Sequence, residues 1–181
     1  MNFTQTAKSF RRIDSVISEE QTMDILFRTA DAVFSYRVAG LCVRDGKVLL
    51  QKPVGDTAYA FPGGHAALGE TNEETLRREF LEEMGADLSV GELAWVGEIF
   101  FPWGSKPCHQ ICLYYKAEIL SEDVPKEGSF PGTEQWEGQK SKLEFHWVPL
   151  DRLSEIELYP TNAVSLLQHP KDGVQHFIYR E

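Results

Sequence analysis

The 181-residue sequence predicts an α+β domain, a sandwich of helices around a mixed β-sheet. Three observations carry that reading. β-rich runs recur along the chain, two of them joined by an Asp45-Gly46 hairpin signal. A capped amphipathic helix is inserted between such runs from Thr71 to Gly85. A shorter helical segment lies between further strand-like runs near the C-terminus, so helices alternate with strands instead of following them in a block.

Residues 1–22 are polar and weakly patterned, and read as a loosely held N-terminal extension whose removal should change stability little. Residues 23–181 read as one domain, long enough to bury a core without disulfides or metal staples. Asp24 to Arg28 opens a first strand. Val33 to Arg44 is a long strand, Asp45-Gly46 a type I′ turn and Lys47 to Lys52 its partner. Ala58 to Phe61 is a short strand that delivers the chain to Pro62-Gly63-Gly64. After the helix, Leu93 to Phe101 and Cys108 to Leu120 are two strands joined by a Pro102-Trp103-Gly104 turn. Residues 121–142, rich in Glu, Gly, Lys and Pro, read as one long loop, and loops of that length in compact domains are usually functional or disordered. Glu144 to Val148 is a strand, a short helix starts near Pro149-Leu150-Asp151, a second spans about Asn162 to Gln168, and Val174 to Arg180 is a final strand-like tail.

The formal charge of −10 argues against binding to nucleic-acid polymers or anionic membranes, and a polyanionic substrate would need local help from cations. The three cysteines, Cys42, Cys108 and Cys112, form neither an even framework nor a C-x-x-C pair. Cys108 and Cys112 would share one strand face as small apolar residues in a reducing compartment. With no signal peptide and no 18-residue apolar run, the expectation is a cytoplasmic protein.

The helix carries the chemistry. Thr71 is its N-cap, Glu74 completes a capping box, and Gly85 is the left-handed stop. Leu76, Phe80 and Met84 form the buried stripe. Glu79, Glu82 and Glu83 crowd another face of the last turns, where like charges repel and the helix terminus is itself partly negative. A solvated acidic face is the ordinary explanation of such a run. The other is a hard divalent cation, which carboxylates, water and phosphate oxygens hold together.

The wider spacing favours the cation. Gly64, Glu70, Arg78, Glu79, Glu82, Glu83 and Gly85 fall in the pattern Gly-x5-Glu-x7-Arg-Glu-U-x-Glu-Glu-x-Gly-U, where U is bulky and aliphatic. Seven fixed positions at roughly one in fifteen each coincide by accident on the order of 10⁻⁸ per window. This stretch resembles the Nudix box, with Phe80 and Ala86 departing from the aliphatic U positions while staying apolar. Phe61-Pro62-Gly63-Gly64 and Phe145-His146-Trp147-Val148-Pro149-Leu150 also look like that family.

The resemblance implies an α/β/α sandwich with the box as loop–helix–loop, and Mg²⁺- or Mn²⁺-dependent hydrolysis of a nucleoside diphosphate linked to another moiety. It makes Glu79 and Glu83 the metal ligands, supported by Glu82 and the backbone carbonyl of Gly63. Arg78 and Glu70 would orient the cluster, and Gly64 and Gly85 would shape the turns. Phe100 and Trp103 are candidates to stack a nucleobase and Lys52 to meet phosphate, although packing and solvation explain such residues at least as well. Pro102, sixteen residues past the box, stands where a proline has been taken to mark ADP-ribose-type members, but a hairpin turn accounts for it. The general base is expected from the 121–142 segment, Glu137 first and Glu134 second. The alternative is a nucleotide-sensing Nudix module that binds without turnover, and a homodimer is left open. A degenerate box would favour the sensor, and this box keeps every charged position.

Overall fold

Strand β2 (Val33–Leu41) is the seam of the molecule. In the computed structural model, which describes residues 23–136 and 138–181, it pairs in parallel with β8 (Lys106–Ile119) on one edge. On its other edge it pairs antiparallel with β1 (Leu26–Arg28) and β6 (Gly63–His65). β8 continues antiparallel to β7 (Leu88–Trp103), and β12 (Gln175–Arg180) runs parallel to β7 at the far edge. The result is a mixed six-stranded sheet. A second, antiparallel sheet has the order β3 (Val43–Arg44), β4 (Lys47–Pro53), β10 (Gln139–Pro149), β9 (Ser129–Trp136). β5 (Ala58–Tyr59) and β11 (Glu157–Leu158) make a short parallel pair.

The strand expected from Val33 to Arg44 is divided at Cys42, where the chain leaves the first sheet and enters the second. Asp45 and Gly46, both at positive φ, make the expected tight turn. Residues on neighbouring positions then point to opposite cores. Val38 and Leu49 go to a core beneath helix α1 (Asn72–Met84), with Leu76 and Phe80 fully buried. Ala39, Val48 and Leu50 go to a core beneath α2 (Asn162–Gln168) and the 3-10 turn Leu150–Glu155. The β layer therefore lies between two helical layers, which is the sandwich expected from the sequence.

α1 forms as its sequence dictates. The Thr71 side chain accepts from the Glu74 N–H, the Glu74 carboxylate accepts from the Thr71 N–H, and Gly85 ends the helix in the left-handed region.

The segment 121–142 departs from expectation. It is not one loop: β9 and the first half of β10 form a hairpin, in register from Ser129 opposite His146 to Trp136 opposite Gln139. Its local composition hides the strand because β9 is a sheet edge, where Pro131 is tolerated. The pairing partner is supplied by β10, and Phe130 stacks on Phe145 with ring centroids 5.3 Å apart. The turn between β7 and β8 is also shifted. Pro102 and Trp103 remain paired with Pro107 and Lys106, and the chain reverses at Gly104-Ser105. No helix among the described residues is long and apolar enough to cross a membrane. The expectation for residues 1–22 and the role given to Glu137 fall outside the described residues.

Candidate active site

The last turns of α1, the β6 strand and the β9 edge enclose a cleft of about 950 Å³. Glu79, Glu82, Glu83 and Arg78 from the helix line it, with Gly64, Arg37, Asp24 and Glu134. Each is placed by a local device. Gly63 has φ +136°, and a Cβ there would sit 2.2 Å from the Val38 carbonyl oxygen, so only glycine lets β6 lie against β2. Gly132 brings β9 so close to α1 that a Cβ would meet the Glu83 carbonyl at 2.6 Å. That approach puts Glu134 within electrostatic reach of Glu83.

Arg78 organises the acids. Its Nε and Nη2 donate to the two oxygens of Glu70 at 2.9 and 3.0 Å, a bidentate pair. Nη1 donates to Glu79 Oε1 at 2.7 Å and to Glu82 Oε2 at 3.4 Å, and Nη2 also reaches the His65 carbonyl at 3.3 Å. Burial disfavours its charge, but the hydrogen bond to Glu70 and the charge of Glu79 outweigh burial and raise its pKa. Glu70, which also accepts from the Thr75 hydroxyl at 3.0 Å, is held below the usual carboxylate range chiefly by the Arg78 hydrogen bond.

Glu79 and Glu83 shift the other way. Burial raises the Glu79 carboxyl, with Arg78 opposing. Glu83 is only 4 % exposed. Burial and then the charge of Glu79 raise it well above its ordinary value, with Arg37 opposing. Its Oε2 is buried with no hydrogen-bond partner among the described residues. An anionic oxygen in that position asks for a cation.

As placed, no three His, Cys, Asp or Glu side chains among the described residues converge as a chelating group, since Arg78 stands among the acids and neutralises part of their charge. Even so, the donor set suits a hard divalent cation: all-oxygen, anionic and clustered, with one buried oxygen unsatisfied. The Gly63 carbonyl, expected as a backbone ligand, accepts a hydrogen bond from Arg37 Nη2, which leaves its second lone pair. Glu82 is more exposed than its neighbours, with 61 % of its side chain in solvent.

Beside the cleft is a second, aromatic pocket of about 270 Å³, and Arg37 and His65 line both. Phe61, Phe101, Trp103, Tyr114 and Tyr159 are among its walls. Burial, with Arg37 and Arg28 adding, pushes the His65 imidazole down to about 3, so it is neutral near pH 7.

Two residues marked from sequence lie elsewhere. Phe100 lines neither space; it stacks on His109 at 4.3 Å with the Arg180 guanidinium 3.9 Å above its ring. Strand alternation is the reason: Ile99, Phe101 and Trp103 face the pocket, and Phe100 faces away. Lys52 is taken up by Glu144 at 3.1 Å and the Asp56 carbonyl at 2.8 Å. Arg37 and Asp24 went unmarked. The signal for Arg37 was present, as a lone charge inside the apolar run from Val33 to Leu41.

A sandwich carrying an Arg-ordered carboxylate cluster on a loop–helix–loop defines a pyrophosphohydrolase of the Nudix class. The NUDIX domain family model matches residues 35–168, and the chain belongs to that family of hydrolases. Solved structures share the fold. A MutT protein from Bacillus halodurans matches at 20% identity and TM-score 0.55, over 81% of this chain and 90% of that one. A UDP-X diphosphatase matches at 20% and 0.52, over 82% and 70%. An ADP-ribose pyrophosphatase from Streptococcus suis matches at 15% and 0.51, over 79% and 98%.

Proposed function

We propose that the chain hydrolyses a phosphoanhydride bond in a nucleoside diphosphate linked to another moiety, be it further phosphate, an ADP-ribose-like group or a sugar. The nucleoside would enter the aromatic pocket, and the diphosphate would cross Arg37 into the acidic cleft. The observation that carries this is the buried, unpartnered Glu83 oxygen beside Glu79 in a cleft joined to an aromatic pocket. Glu79 and Glu83 would hold Mg²⁺ or Mn²⁺, with Glu82 and the Gly63 carbonyl in support. The bound cation supplies charge neutralisation on the diphosphate oxygens and a more acidic water. Arg37, between the two spaces, would donate to non-bridging oxygens and fix the phosphorus in line. Arg78 and Glu70 keep Glu79 oriented and do not touch substrate. A proton acceptor for the attacking water would come from the β9–β10 hairpin.

The test is hydrolysis of dNTPs, ADP-ribose, NADH, dinucleoside polyphosphates and nucleotide sugars with Mg²⁺ and Mn²⁺, comparing the wild type with Glu83→Gln. At least one compound should be cleaved only with metal, and the variant should lose most of that turnover. Binding without cleavage of any compound would point to the nucleotide-sensing alternative. Full turnover by the variant would refute the site.

A further inference from the structure

The aromatic pocket has a polar floor that the proposed reaction does not use. Ser35, Gln110, Ile99 and Tyr179 are register partners on four adjacent strands and form one row across the large sheet. Three of the four, all but Ser35, line the pocket. Gln110 is a buried polar side chain in that row, only 9 % exposed. The Ser35 hydroxyl donates to its Oε1 at 3.2 Å, a bond made inside the sheet. Ser35 is itself fully buried, so the amide oxygen is engaged within the sheet. With its oxygen engaged, the NH₂ of this pocket-lining residue is the end left without a partner among the described residues. The other polar side chains of the pocket include Arg37, which has donors only, the neutral His65 imidazole and the hydroxyl-bearing Tyr114, Tyr159 and Tyr179, so Gln110 is the one carboxamide on its wall among the described residues. Glu181 is an acceptor, but it stands in solvent at the rim.

We propose that Gln110 is a specificity-determining residue that makes this pocket select nucleobases presenting a carbonyl, such as hypoxanthine and uracil, over those presenting an exocyclic amino group, adenine and cytosine. This rests on the reading of the pocket as the nucleoside seat. The physical basis is that a ring carbonyl accepts from the amide NH₂, whereas an amino group in the same place sets donor against donor and leaves both unsatisfied. Aromatic walls alone would not discriminate, since every base offers a π-face.

The decisive comparison is inosine with adenosine 5′-monophosphate, which differ at that edge, and uridine with cytidine 5′-monophosphate, by titration calorimetry with Mg²⁺. The wild type should bind the carbonyl-bearing member of each pair about tenfold or more tightly. Gln110→Met should bring the two members of each pair together, and Gln110→Glu should favour adenosine and cytidine. Equal affinities in the wild type, a wild-type preference for the amino bases, or no binding of any of the four overturns the proposal without recourse to a variant that fails to fold. The two readings also fail separately. Metal-dependent hydrolysis with no base preference sinks this one alone, and selective binding with no hydrolysis sinks the reaction alone.

Discussion

The carboxylate of Glu79 occupies the space in which a side chain on Gly64 would begin: a Cβ built on Gly64 lies 2.0 Å from the Glu79 carboxyl carbon. The first glycine of the motif and its first metal-ligand candidate are thus two halves of one contact. Gly64→Ala should push Glu79 out of line with little change to the buried stripe of α1. The expected result is a loss of Mn²⁺ affinity of about tenfold or more, with a far-UV spectrum like the wild type. Unchanged Mn²⁺ titration would show that Glu79 can move without consequence.

The buried acids make a prediction about pH. Glu79 and Glu83 titrate higher in the folded chain than their ordinary value of 4.5, so the native state binds the extra protons. The stability this gives is complete below about pH 4.5 and is lost as pH rises through the raised values. In the wild type without metal, ionising Glu83 is therefore a cost near neutrality. Glu83→Gln removes it. In EDTA the variant should melt at the same temperature as the wild type near pH 4.5 and several degrees higher near pH 7. Added Mg²⁺ should raise the wild-type Tm at pH 7 and leave the variant almost unmoved. Glu70, held low by Arg78, titrates the other way in both proteins, and the difference between the two curves cancels it. A variant less stable than the wild type at pH 7 in EDTA would contradict the unpartnered state of Glu83.

Arg78 tests the ordering of the cluster. Lys at this position keeps one positive charge but cannot grip both oxygens of Glu70 while also reaching Glu79. Arg78→Lys should lower stability by about 2 kcal/mol through the lost charge-assisted bonds. It should lower kcat more than it raises KM, because Arg78 positions a metal ligand without touching substrate. A pure KM effect would place Arg78 on the substrate instead.

These relationships differ in how far the sequence announces them. The α1 helix and its cluster were legible because cap, stripe, acids and stop are all set by spacing within one segment, where the cap and the Glu70–Arg78 pair join residues three and eight positions apart. The Val33–Leu41 strand was legible, but the meaning of Arg37 within it was not, because that depends on Gly63 and His65 arriving from another strand. β9 was hidden altogether. Its edge position lets it carry Pro131 and Gly132, and its stability comes from β10 and from Phe145. Phe100 shows the other limit. Two adjacent aromatics invite a choice, and only the parity of the β7–β8 register decides that Phe101 faces the pocket. Gln110 is set by the same parity, and its hydrogen-bond partner is Ser35, 75 positions away.

The remaining prediction concerns the general base. A carboxylate that holds a divalent cation is a poor proton acceptor, because the cation lowers its pKa and occupies its lone pairs. That argues against Glu79 and Glu83 and for an acid brought from another element. The 121–142 segment holds two candidates. Glu134 lines the cleft and acts electrostatically on Glu83, while accepting from the Ser141 hydroxyl at 3.3 Å. Glu137 follows three residues on in the sequence, outside the described residues. Gly138 beside it also lines the cleft. An acid that approaches only when substrate is bound would limit idle turnover. We expect Glu137→Gln to lower kcat by 10²-fold or more, the usual scale for a lost general base, about 3 kcal/mol of barrier. Mn²⁺ affinity should stay within about twofold, since neither acid is assigned to the metal. Glu134→Gln is the matched control, and if it shows the larger loss with unchanged Mn²⁺ titration the base is Glu134. If both variants keep near wild-type kcat, or if each loss tracks weaker metal binding, the proton goes to Glu79 and the hairpin has no part in the chemistry.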